Sequence, residues 1–195
     1  MANLLTIEEY KAAKGITGTT DDAKITPLLA SVSQLVRTYC NRDFTSYYGT
    51  DKTEYFTIKW EEDAVQLSET PIVSITSVAE REAITESYVA LTTSDYYLDT
   101  DTDSIYRINT DGTGYKAYKK GPASVRVLYK AGYSATPTDL KLALVDLLTY
   151  YLKEEYKQAR AIGSINVQNQ VTSTQTNSAD FPDHIKRVLD LYRVY

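Results

Sequence analysis

The chain carries few residues capable of covalent chemistry. His184 is its single histidine and Cys40 its single cysteine. A nucleophilic pair would require the two to meet in space, with a third group orienting the imidazole. Cys40 instead closes an apolar helical stripe, and His184 sits in the first turn of a short C-terminal helical pattern. Packing for the thiol and solvent for the ring are the expected fates. Asp99, Asp101 and Asp103 have the 1,3,5 spacing that opens a calcium loop, but Ser104 and Thr110 occupy the sixth and twelfth places, where Gly and Glu are needed. An acidic turn between two strands suits them better. Lys116, Lys119 and Lys120 interleave with Tyr115 and Tyr118, a pattern that could touch phosphates by charge and stacking or form an ordinary basic hairpin. Gly112-Thr113-Gly114 is too short for a phosphate cradle, and no GxSxG, HExxH or P-loop spelling occurs. No catalytic, metal or cofactor site is expected from these residues.

Composition narrows the classes further. The 195 residues allow one domain, or one domain with a sizeable insertion, and 43% apolar with 24% charged residues is ordinary globular usage. One cysteine excludes an intrachain disulfide and a cysteine-cluster metal site. Lys and Arg number 21 against 26 Asp and Glu, a net charge of −5, so the overall basic signature of a nucleic-acid binder is missing. No run of apolar residues approaches the roughly 18 that a membrane span needs. Met1-Ala2-Asn3-Leu4-Leu5 lacks the basic start of a secretory signal, so an intracellularly made protein is expected. Tyrosine is in excess, with 18 Tyr beside 3 Phe and 1 Trp. It suits surfaces that are apolar on one side and wet on the other, and it also suits strands.

The elements that would position these residues follow from periodicity. Thr6-Ile7-Glu8-Glu9 spells a capping box and Gly15 a stop, predicting a helix over roughly 7–14. Ile25, Leu28, Leu29, Val32, Leu35, Val36 and Tyr39 form one helical stripe. That helix is expected to start near Asp21, because Ile25 already belongs to the stripe although Pro27 follows. From about Asn41 to Ala131 the period becomes two. Phe56, Ile58 and Trp60 alternate with polar neighbours, as do Val73 and Ile75, and Val125, Val127 and Tyr129. Turns are expected at Asp111-Gly112 and Gly121-Pro122. One small antiparallel sheet is predicted. Helical period returns at Asp139 and is apolar nearly all round through Leu144, Leu147, Leu148 and Tyr151. This predicts either a central helix or one covered by neighbouring subunits. Residues 161–179 contain no charge. Within them Ile165, Val167 and Val171 fall on alternate positions, as an edge strand lent to an adjacent copy would require. After Phe181 and Pro182 a short amphipathic helix presents Ile185, Val188, Leu189 and Tyr192, too short to stand alone and therefore packed on its own subunit or on a partner.

Charge is unevenly spread. Residues 1–43 carry five of each sign and 131–195 seven of each, so the whole −5 lies in 44–130, with nine basic and 14 acidic residues. The expectation is an α+β protein in which residues 44–131, an antiparallel β region, are inserted into a small helical bundle. The bundle is formed by N-terminal helices in 1–43 and by a central helix, long loop and C-terminal helix in 132–195.

Several stretches in this order resemble one family. They are Leu5-Thr6-Ile7-Glu8-Glu9-Tyr10, the helix ending Val36-Arg37-Thr38-Tyr39-Cys40-Asn41-Arg42-Asp43-Phe44, and Leu67-Ser68-Glu69-Thr70-Pro71-Ile72-Val73-Ser74-Ile75-Thr76-Ser77-Val78. Val125-Arg126-Val127-Leu128-Tyr129-Lys130-Ala131-Gly132-Tyr133 follows, leading into Pro137-Thr138-Asp139-Leu140. The last is Phe181-Pro182-Asp183-His184-Ile185-Lys186. Together they resemble the head-to-tail connector (adaptor) proteins of tailed double-stranded DNA bacteriophages, in the version with a β insertion. The resemblance implies a structural virion protein of the neck, assembled in the host cytoplasm. It implies a homo-oligomeric ring, commonly a dodecamer, beneath the portal protein, joined to a tail, stopper or nozzle protein, with DNA as transiting cargo. No enzyme activity, cofactor or membrane is implied. It also favours the portal or an adjacent subunit as the partner of the terminal helix. A tail-completion or stopper protein of the same neck is an alternative, and a small metal-binding hydrolase or ligand-binding module is another from a different class.

Overall fold

The computed structural model describes residues 2–153, 161–162, 165–166 and 181–194. Among the described residues it is an α+β protein with four α-helices and two main antiparallel sheets. The chain divides into two compact units, one from Met1–Arg42 with Thr136–Tyr195 and the other from Asp43–Ala135.

The first unit is helical. In α1 (Ile7–Lys14) Thr6 and Glu9 complete the capping box, and Gly15, at φ 67°, closes the helix in the left-handed region. Helix α2 (Asp22–Cys40) begins after Asp21 and keeps Pro27 in its interior, while Asn41 ends it at φ 54°. Helix α3 (Thr138–Leu152) buries Leu140, Ala143, Leu144, Leu147 and Leu148 within the unit. Its polar stripe meets α1: Lys141 pairs with Glu9, Asp146 with Lys14 at 3.4 Å, and Thr149 lies 3.4 Å from the Tyr10 hydroxyl. Helix α4 (Asp183–Leu191) lays Ile185 and Leu189 into the same core.

The second unit holds strands β1 (Lys52–Ile58), β2 (Ala64–Gln66), β3 (Ile72–Glu80), β4 (Val89–Ala90), β5 (Tyr96–Asp99), β6 (Ser104–Arg107) and β7 (Gly121–Ala131). They form two sheets, β1-β7-β3-β4 and β2-β6-β5, where the alternation had predicted one. Both contribute to a single core of Ile58, Val65, Val78, Ile105, Val125, Val127 and Tyr129. Bulges break the simple alternation. Register shifts fall between Phe56 and Ile58 on β1 and between Ile72 and Ser74 and Ile75 and Ser77 on β3. A bulge places two residues opposite one, so Val73 is exposed while Ile72 and Ile75 pack on the core. Trp60, expected to extend β1, lies beyond it and is 76% exposed. Gly121-Pro122 opens β7 rather than forming a separate turn, whereas Gly112 does turn the chain at φ 71°.

In residues 161–179, the backbones of β8 (Ala161–Ile162) and β9 (Ile165–Asn166) pair antiparallel. Val167 and Val171 lie outside the described residues.

Candidate interaction surfaces

Among the residues with catalytic potential, Cys40 and Asp99 have structural partners. Burial pushes the Cys40 thiol up to about 12, against the opposing Arg42 charge, and the thiol donates to the Leu189 carbonyl at 3.6 Å. His184 is exposed on α4. The structure brings the two into no described hydrogen bond. The Asp99 carboxylate accepts from the Thr102 hydroxyl at 2.8 Å and the Asp101 amide at 3.0 Å, closing the β5–β6 turn on itself; those contacts hold its pKa below the ordinary value. Among the described residues no group of three or more His, Cys, Asp or Glu is placed to hold a metal ion.

The Lys–Tyr hairpin is not a continuous basic platform. Tyr118 is a core residue whose hydroxyl donates to the Ile105 carbonyl at 3.1 Å, and burial raises its pKa. Lys119 pairs with Glu82 at 2.7 Å and Lys120 with Glu61 at 3.5 Å. Tyr115 is exposed and tilts against Tyr106, with ring centroids 5.3 Å apart.

The docking candidates fall into two sets. Phe181, Ile185 and Leu189 are buried inside the helical unit; Pro182, Val188 and Tyr192 are partly buried. Phe181 meets Tyr39 edge-on with centroids 5.0 Å apart, and the Tyr192 hydroxyl donates to Asp139 at 2.7 Å. The apolar stripe of α4 is therefore covered by its own subunit, and the side facing away carries His184, Lys186, Arg187 and Leu191, the last 77% exposed. Leu144, Leu147 and Leu148 are likewise buried in the unit, and Tyr151 is partly buried. Leu142, at 64% exposure, is the apolar side chain that α3 leaves to solvent.

Two polar networks were not anticipated. In the first, the Glu54 carboxylate accepts from Tyr129 at 2.9 Å, from the Ser68 hydroxyl and from the Ser68 amide at 3.2 Å, and pairs with Lys52 at 2.8 Å. Glu69 accepts the Asp43 amide at 3.0 Å. In the second, buried Arg107 lies 3.6 Å from buried Glu80 and donates to the Asp95 carbonyl at 2.6 Å, tying β6 to β3 of the other sheet. Buried polar groups need such partners.

The outer face of the four-stranded sheet has a different character. Tyr55 of β1 stands opposite Arg126 of β7. The guanidinium carbons of Arg126 and Arg81 each lie 4.5 Å from the centroid of the Tyr88 ring, and Tyr55 is 6.1 Å from it.

A profile of one protein family, head completion protein, matches residues 3–195. The chain belongs to the head completion protein family. A head completion protein of Escherichia phage T5 is 26% identical over 195 residues, spanning 97% of this chain and 98% of that one. Two solved structures share the fold. A chain from the neck of an empty gene transfer agent particle, treated with six-fold symmetry, superposes at a TM-score of 0.60, with 14% identity over 98% of this chain and 90% of that one. A chain from the neck of the native particle, treated with twelve-fold symmetry, gives 0.55, with 13% identity over 100% and 96%.

In this chain the motifs that carried the resemblance acquire physical roles. Asn41 ends α2 in the left-handed region. Ser68 and Glu69 build the Glu54 network, and Gly132, at φ 95°, turns the chain out of β7. The networks escaped sequence reasoning because their partners lie far apart in the chain. Lys52 and Glu54 on one strand, facing a Ser-Glu pair, were the available signal.

Proposed function

We propose that this chain is a head-to-tail connector, a structural component that forms a ring beneath the portal, joins the head to the tail and leaves a channel for DNA. The observation that carries the reading is the family match along 3–195, which spans both units rather than one. The fold likeness to chains of a particle neck supports it. Such a protein needs no reaction centre. It needs a head-to-tail interface that closes, since a heterologous contact that fails to close builds filaments instead. The partners in this reading are the portal, a tail, stopper or nozzle protein, and further copies of the chain, with a dodecamer the expected ring. DNA passes through as cargo. The side of α4 bearing Lys186, Arg187 and Leu191 is the surface this reading assigns to the portal or a neighbouring copy, because the opposite side is committed to the core.

The test is electron microscopy of the purified chain mixed with its cognate portal, together with heads assembled without it. Rings on the portal and tail joining restored by added protein are the expected results. A chain that stays monomeric beside the portal, and heads that join tails equally well without it, would sink the reading.

A further inference from the structure

Arg81 and Arg126 share one aromatic platform, and neither has a carboxylate partner among the described residues. Each guanidinium carbon lies 4.5 Å from the Tyr88 centroid, so the two cations are at most about 9 Å apart. Arg81 donates to the carbonyls of Ala123 at 3.1 Å and Ile84 at 3.0 Å. Tyr88 is itself fixed, its hydroxyl donating to the Ala123 carbonyl at 2.6 Å. The Nε of Arg126 is buried with no hydrogen-bond partner. Such a group ordinarily finds one. Tyr55 and Arg126 are register partners, and successive strand residues point to opposite faces. Both therefore project away from the side on which Phe56, Val125 and Val127 pack on the core. Two like charges held together on a partly exposed face, in a region whose net charge is −5, mark a place for an anion supplied from outside.

We propose that this face is the receiving half of the copy-to-copy interface, and that its occupant is the acidic β5–β6 turn, Asp99 to Asp103, of a second copy of the chain. The proposal rests on the connector reading and assigns residues to the interface that reading requires. Charge complementarity selects the occupant. The turn places three aspartates in five residues with no cation among them. Asp101 is exposed, and it makes no ion pair among the described residues. Carboxylate and guanidinium suit one another because the planar fork donates two parallel bonds. The turn belongs to the β2-β6-β5 sheet, whereas Arg126 lies on β7 of the other sheet and Arg81 directly follows its β3, so donor and receiver are different surfaces. That is the arrangement a head-to-tail ring uses, with each copy giving one surface and receiving on the other. DNA phosphate is the competing anion. It is disfavoured by the net negative charge of 44–130, which repels a polyanion over longer range.

The experiment uses the full chain, alone and with portal-bearing heads, and follows assembly by sedimentation and electron microscopy over a salt series. The variants are Asp101→Lys, Arg81→Gln with Arg126→Gln, and Arg126→Glu with Asp101→Lys. Asp101 is exposed and outside the core, so its substitution reads the interface without a folding cost, and circular dichroism checks the arginine variants. Asp101→Lys and the double glutamine variant should each weaken copy-to-copy association about tenfold or more, with a shallower salt dependence. The reversed pair, Arg126→Glu with Asp101→Lys, should recover most of the loss. Normal assembly of folded Asp101→Lys protein overturns the proposal while leaving the connector reading intact. Normal assembly of the arginine variants with lost DNA retention overturns it in favour of phosphate. Failure of the unmodified chain to self-associate or to join heads overturns both.

Discussion

Replacing Gly132 by Ala tests the exit from β7. Gly132 has φ 95°, a left-handed conformation that costs an L-residue about 1–2 kcal/mol. A Cβ there would lie 2.2 Å from the Phe44 carbonyl oxygen and 3.0 Å from its carbon, both backbone atoms. That carbonyl accepts the Tyr133 amide at 2.7 Å, and the Gly132 amide donates to the Pro71 carbonyl at 2.8 Å. Phe44 is buried and already held at φ 67°, so it has little room to yield. Relieving the overlap sacrifices at least one of those hydrogen bonds, about 1–3 kcal/mol for a buried group left unmade. With the backbone strain the expected loss is about 3 kcal/mol or more, roughly 6–12 °C of melting temperature for a protein of this size. Gly112→Ala is the control: its φ is 71°, but nothing lies within 4 Å of the added carbon, so it should lose about 1 kcal/mol. Urea unfolding followed by circular dichroism compares the two. Losses equal to within about 0.5 kcal/mol would refute the contact argument, since both variants share the strained φ.

The remaining predictions concern particular side chains. Burial raises the Glu54 pKa, but the contacts from Lys52, Ser68 and Tyr129 outweigh it and leave the carboxyl below its ordinary value. A depressed folded pKa contributes stability that is present above the unfolded value of about 4.3 and lost as pH falls through the folded value. Glu54→Gln should therefore flatten the acid limb of urea stability, and an unchanged limb contradicts the network. Leu189→Ala, in the core, should cost about 2–5 kcal/mol. Leu191→Ala, exposed on the same helix, should stay within about 0.5 kcal/mol and, if α4 docks by that side, weaken portal binding in a pull-down. Cys40, with its thiol raised to about 12 and buried, should resist a thiol reagent at pH 8 until the chain is unfolded; fast native labelling contradicts the packing.

The legible parts of the fold were those written in local chemistry. Thr6, Glu9 and Gly15 announce both ends of α1, and the stripe through Ile25 and Val36 places the start of α2 near Asp21 despite Pro27. Val125, Val127 and Tyr129 alternate without interruption on β7 and are buried together. Alternation held on β1, where Phe56 and Ile58 both face the core across a register shift, and failed on β3, where the extra residue between Ile72 and Ser74 changes which side chains face the core. That exposes Val73, and it is one reason two sheets were read as one. Tyr118 looked like a surface residue because lysines flank it, yet its ring fills the core. The arginine platform was hidden for a related reason: Arg81, Tyr88 and Arg126 are unremarkable in the chain and meet only through sheet pairing. The apolar stripe of α4 was legible as a stripe, but periodicity does not say which surface covers it.

The division of the chain has a consequence for synthesis. The helical unit takes its first two helices from the beginning of the chain and its other two from the end, while residues 43–135 are continuous. On a ribosome the β unit is complete, with both its sheets paired, before α3 and α4 have been made. Helices α1 and α2 must wait through all of that with Leu29, Val32 and Val36 uncovered, since the side chains that bury them arrive last. The β unit is thus the part of the nascent chain that can close first, and the helical unit closes only when the nine-residue α4 is released. Any loss in α4 falls on α2, made long before it, as well as on α3.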